Sequence, residues 1–128
     1  MLLNDFFNIE RLPDSGDCAY AADIRLNASH KIFQAHFPGH PITPGVCQLQ
    51  IVSELLADHL GQDMRLTDIK AVKYLAVISP VDTPCLEVRF KKIAVDGATC
   101  KVQATIEAGG QVYTKMSMTY VVRDNTDI

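Results

Sequence analysis

The chain has 128 residues, 48% of them apolar and 21% charged, which is the size and make-up of one globular domain over residues 1–128. Its 12 basic and 15 acidic side chains leave a formal net charge of −3, so the chain as a whole carries no electrostatic footprint for nucleic acid or for an anionic membrane surface. The amino-terminal stretch lacks the basic region and apolar run of a secretory signal, and no run approaches the roughly 20 apolar residues of a membrane span, so a cytoplasmic location is expected.

Phe6 to Leu12 reads as a short strand, and the turn-forming cluster Pro13-Asp14-Ser15-Gly16-Asp17 separates it from a second strand over Cys18 to Leu26, with which it should form a hairpin. Val46 to Leu60 is the one clear helix, entered through Pro44-Gly45 and closed by Gly61 as C-cap. Val46, Leu49, Ile51, Val52, Leu55, Leu56 and Leu60 cover most of its circumference, which predicts a central, buried helix. Gln50, Ser53, Glu54 and Ala57 share the remaining narrow face, with Val46 and Cys47 at its start, and a polar strip on a buried helix needs partners. Beyond Gly61 the period changes to two. Arg65 to Leu75, Cys85 to Val95, Thr99 to Glu107 and Gln111 to Val122 read as strands, the last three joined by the turn signals Asp96-Gly97 and Gly109-Gly110. Cys18, Cys47, Cys85 and Cys100 have no paired spacing and lie in apolar or alternating stretches, so buried free thiols are expected.

The chemistry concentrates between the second strand and the helix, in His36-Phe37-Pro38-Gly39-His40-Pro41-Ile42-Thr43-Pro44-Gly45-Val46. Three prolines restrict this loop, while Gly39 and Gly45 permit a positive φ or a close approach, so it reads as a preorganised shelf. A histidine, with an ordinary pKa of about 6.5, suits proton abstraction near neutrality; the plain alternative is that His36 only bonds the loop backbone. His36 and His40 are four apart, but Pro38 and Gly39 prevent a shared helical face and no Cys, Asp or Glu cluster completes a site, so no metal is expected.

This run resembles the signature of the 3-hydroxyacyl-acyl carrier protein dehydratases, His-Phe-x-Gly-x-Pro-x-x-Pro-Gly-Val followed by a carboxylate four residues after the valine. Val72-Lys73-Tyr74 and Ser79 to Leu86 resemble, with imperfect spacing, the family's following strand and turn. The resemblance implies an α+β hot-dog fold, a curved antiparallel sheet of about six strands around one long helix, with protomers paired edge to edge and active sites built across that interface. It implies dehydration of 3-hydroxyacyl thioesters carried by acyl carrier protein, without a cofactor, by a homodimer that relatives extend to a hexamer.

By that resemblance His36 is the base, the N–H groups of Gly45 and Val46 hold the thioester oxygen and Phe37 gates the acyl tunnel; His40, at a variable position of the signature, is a solvent-facing or pantetheine-entrance residue. The acid is where the pattern departs. The family's carboxylate position holds Gln50, and Glu54 stands where the family often has a glutamine, so the two groups are exchanged. Gln50 can accept and donate hydrogen bonds but has no proton to give up near neutral pH. Three readings follow. Glu54 serves as acid from one turn deeper, about 6 Å along the axis; Gln50 only orients substrate or water, in a weak dehydratase, an acyl-binding auxiliary subunit, or the heterodimer partner of another hot-dog chain that supplies the missing groups; or Gln50 positions water in a thioesterase. A purely structural bond by Glu54 is the plain alternative.

Overall fold

The computed structural model describes residues 1–35 and 39–123. Along them run β1 (Phe7–Arg11), β2 (Tyr20–Leu26), α1 (Lys31–Ala35), α2 (Gly45–Leu60), β3 (Met64–Tyr74), β4 (Cys85–Asp96), β5 (Thr99–Ala108) and β6 (Gln111–Val122). The strands form one six-stranded sheet in the order β1-β2-β4-β5-β6-β3, with every pairing antiparallel. The hairpin β1-β2 forms as expected, with Phe7 opposite Leu26. The tight turns fall where the glycines allow them: Gly97, Gly109 and Gly110 all have positive φ.

The alternation in the strands has a direct packing meaning. Tyr20, Phe90, Ala104, Met116 and Val72 are successive register partners across five strands, so one row of the inner face reads straight through the sheet. These side chains share a core with Ile51, Val52, Leu55 and Leu56 of α2, which are fully buried. Each such aliphatic side chain contributes about 1.5–3 kcal/mol relative to exposure. The register shifts in β1, β3, β4 and β6 are bulges or irregularities, and such shifts add bend and twist to a sheet that curves around its helix. Gly61, in the left-handed region at φ 65°, ends α2 by returning its N–H to the Ala57 carbonyl.

Three sequence expectations need correction. A short second helix, α1, follows β2 and buries Phe33 against Phe6, with the rings stacked at 4.7 Å; five residues are too few to show a helical period. The helix α2 is not enclosed all round. Val46 is 72% exposed and Gln50 is exposed as well, so one side of the amino-terminal half opens out of the chain. Of the four cysteines, all free, Cys47 and Cys100 are buried, Cys18 is half-buried and Cys85 is exposed. Burial pushes the Cys47 and Cys100 thiols up from their ordinary pKa, which keeps both protonated and inert.

Candidate active site

The segment leading into α2 is held from both sides. The Thr43 N–H donates to the Ile78 carbonyl at 2.8 Å, and the Gln48 side-chain amide, one turn into the helix, donates to the Thr43 carbonyl at 3.2 Å. The Gln48 oxygen accepts from the Thr114 hydroxyl of β6 at 2.5 Å. Gln48 and Thr114 are buried, so this chain of bonds locks the loop, the helix start and the sheet in a low-dielectric setting where an unpaired group would be costly. Thr43 Oγ1, also buried, has no partner among the described residues.

Pro44 is the N-cap of α2 and supplies no side-chain acceptor; the Cys47 N–H turns back to the Pro44 carbonyl at 3.1 Å, and the N–H groups of Gly45 and Val46 have no acceptor among the described residues. Gly45 is a glycine because the backbone is approached closely there. A Cβ at Gly45 would lie 2.6 Å from the Tyr74 hydroxyl and 2.7 Å from its ring carbon Cζ. Gly39, at φ 91°, is the loop position that needs a positive φ.

Val46, Gln50, Ser53, Glu54 and Ala57 line one groove of about 620 Å³, closed on the other side by Met1, Leu3 and the first residues of β3. The shared face read from the helical period is therefore real, except that Cys47 turns into the core. Ser53 Oγ donates to the Leu49 carbonyl at 2.9 Å and lies 3.0 Å from the hydroxyl of Tyr120. That phenol, fully buried in the sheet core, is pushed up to about 12 by burial, so it stays a neutral donor.

Glu54 is heavily engaged. One carboxylate oxygen accepts from the N–H groups of Leu2 and Leu3 at 2.9 and 2.7 Å, and the other from Leu2 at 2.7 Å and from the Gln50 side chain at 2.8 Å. Both oxygens thus act as acceptors, and the carboxylate fastens the amino-terminal segment across the helix. Gln50 gives one amide N–H to Glu54, and its side-chain oxygen accepts from no described residue.

Gly45, Val46, Gln50 and Glu54 are brought to one end and one side of α2. His36, Phe37 and Pro38 lie outside the described residues; His40 is exposed. Two residues of this region escaped the sequence reading. Gln48 had a signal: it shares a helical face with Ile51, Val52 and Leu55, and a glutamine at such a core position demands partners. Tyr74 lay in a stretch matched only as a strand, with no role of its own, because its contact with Gly45 joins separate elements.

The fold places the chain in a known class. It superposes on the dehydratase heterocomplex ApeI:P from Xenorhabdus doucetiae with a TM-score of 0.59 at 19% identity, covering 88% of this chain and 96% of that one. It also superposes on a hypothetical thioesterase with coenzyme A from Streptococcus pneumoniae with a TM-score of 0.61 at 16% identity, covering 91% and 85%. This is the hot-dog fold. In sequence the chain is 28% identical over 108 residues to the 3-hydroxyacyl-[acyl-carrier-protein] dehydratase FabZ of Chloroflexus aggregans, over 79% of this chain and 74% of the relative. With the enzyme of the same name from Acetivibrio thermocellus it is 30% identical over 98 residues, covering 68% and 67%. Residues 13–115 match the ApeI-like family, described as ApeI dehydratase, and the chain belongs to that family.

Proposed function

We propose that this chain dehydrates 3-hydroxyacyl groups, carried as thioesters on the phosphopantetheine of acyl carrier protein, to trans-2-enoyl thioesters. The observation that carries the reading is the uncapped start of α2 at the end of the family's loop, on the same groove as the exchanged pair Gln50 and Glu54. The names of the FabZ relatives support the substrate class.

In this reading His36 takes the proton from the carbon beside the thioester carbonyl. The N–H groups of Gly45 and Val46 hold the carbonyl oxygen as negative charge builds on it, and Phe37 gates the acyl tunnel. The C3–O bond then breaks and the hydroxyl leaves as water with a proton from an acid. Gln50 orients the substrate through its free oxygen. Glu54 lines this groove beside Asp58, and to serve as the acid it has to take up a proton and exchange its Leu2 and Leu3 contacts for the substrate hydroxyl. The protomers pair as a homodimer along the edge of β3 that no described strand covers.

The engagement of Glu54 favours one second reading, that of an acyl-binding auxiliary subunit in a heteromeric dehydratase whose partner chain supplies the acid. The test compares wild type, His36→Ala, Gln50→Glu and Glu54→Gln for enoyl product from 3-hydroxyacyl carrier protein. A self-sufficient enzyme loses about 10²–10⁴-fold in His36→Ala and a comparable amount in Glu54→Gln. Activity gained in Gln50→Glu with no change in Glu54→Gln identifies the auxiliary subunit. Free acid and free carrier thiol in place of enoyl product would identify a thioesterase and sink both.

A further inference from the structure

Tyr74 ends β3 on the inner face of the sheet, opposite the buried Thr114 that holds Gln48. Its hydroxyl stands in the space beside the Gly45 α-carbon, next to the helix start where the Gly45 and Val46 N–H groups have no acceptor among the described residues. The side chain is half-exposed, at 51% for the residue, and can be reached from outside the chain. A phenylalanine would cover Gly45 equally well, yet the position carries a hydroxyl that bonds no described residue. Partial burial raises its pKa above the ordinary value of 10, so it keeps its proton through the neutral range.

We propose that Tyr74 is a catalytic residue whose hydroxyl donates a hydrogen bond to the thioester carbonyl oxygen held at the first turn of α2. The inference rests on the thioester reading given above. No proton is transferred through it: the electron pair of the broken C–H bond moves toward the carbonyl oxygen, and the phenol bond strengthens as that charge grows. The hydroxyl thereby gives this site a side-chain donor besides the backbone amides.

The test uses Tyr74→Phe, which keeps the ring over Gly45. Two measurements are paired: turnover of 3-hydroxybutyryl carrier protein, and the infrared carbonyl band of bound crotonyl-pantetheine labelled with ¹³C at the carbonyl. The variant is expected to keep the wild-type Tm, to lose about 10- to 100-fold in kcat with KM near wild type, and to return the bound carbonyl band toward its free position. Wild-type kcat and an unshifted band in Tyr74→Phe overturn the assignment. If wild type binds the thioester without turning it over, the dehydratase reading fails alone and the carbonyl band still decides on Tyr74. If wild type binds no crotonyl thioester, both fall.

Discussion

Glu54 shows how much the surroundings of one carboxylate matter. Two successive backbone N–H groups and one side-chain amide converge on it, so the side chain that replaces the family's glutamine also fastens the amino-terminal residues. Removing it leaves the Leu2 and Leu3 donors without acceptors in a partly buried setting, at a cost of about 1–3 kcal/mol. Glu54→Ala is therefore expected to lower the Tm by roughly 5–10 °C in thermal unfolding at neutral pH, with faster amide exchange at residues 2–7. A Tm unchanged from wild type would show that the clamp is dispensable. Glu54→Gln retains one acceptor oxygen and should fall between the two, which is why it serves as the kinetic variant.

At the level of the element, α2 is fixed by three contacts of different chemistry. Gln48 ties its first turn to β6, the missing side chain of Gly45 lets Tyr74 of β3 close over it, and Ser53 meets the phenol of Tyr120. Burial of that phenol, which outweighs the opposite pull of the Ser53 bond, makes stability depend on pH in a definite direction. Tyr120 has a folded pKa of about 12 against an ordinary 10, so the neutral form is favoured on folding. Its contribution is complete below pH 10 and is lost as the pH rises from 10 toward 12, because only the unfolded chain ionises readily in that window. Two units correspond to about 2–3 kcal/mol. Urea midpoints at pH 8, 10 and 11 should fall more steeply in wild type than in Tyr120→Phe, and parallel declines would remove Tyr120 from the alkaline transition.

On the scale of the whole molecule, the sheet has unequal edges. β1 has five residues, whereas β3 has eleven, pairs on one side with β6, and has no strand on its other side among the described residues. Ile69 and Tyr74 on this edge, Leu75 and Val77 just beyond it, and Val46 at the start of α2 are exposed large apolar residues. A long unpaired edge with apolar side chains favours pairing with another strand, in keeping with the edge-to-edge pairing proposed above. Sedimentation velocity should show a dimer for wild type and a shift toward monomer for Ile69→Asp. A wild-type monomer at micromolar concentration would rule out the homodimer and leave the edge to a different hot-dog chain.

Much of this was legible in the chain of residues alone. The His36 to Val46 loop carries the family, Pro44-Gly45 and Gly61 bracket α2, and the period of two beyond it marks β3 to β6 to within one or two residues. These signals are local: turn chemistry, capping and side-chain alternation act over a few neighbours and leave a compositional trace. The exchange of Gln50 and Glu54 is visible in the same way. What folding added joins distant positions through groups without such a trace. The acceptors for the Leu2 and Leu3 amides, the ring of Tyr74 over Gly45 and the open side of α2 at Val46 and Gln50 depend on backbone N–H groups that nearly every residue has. They depend also on which of two apolar helix faces the sheet happens to cover.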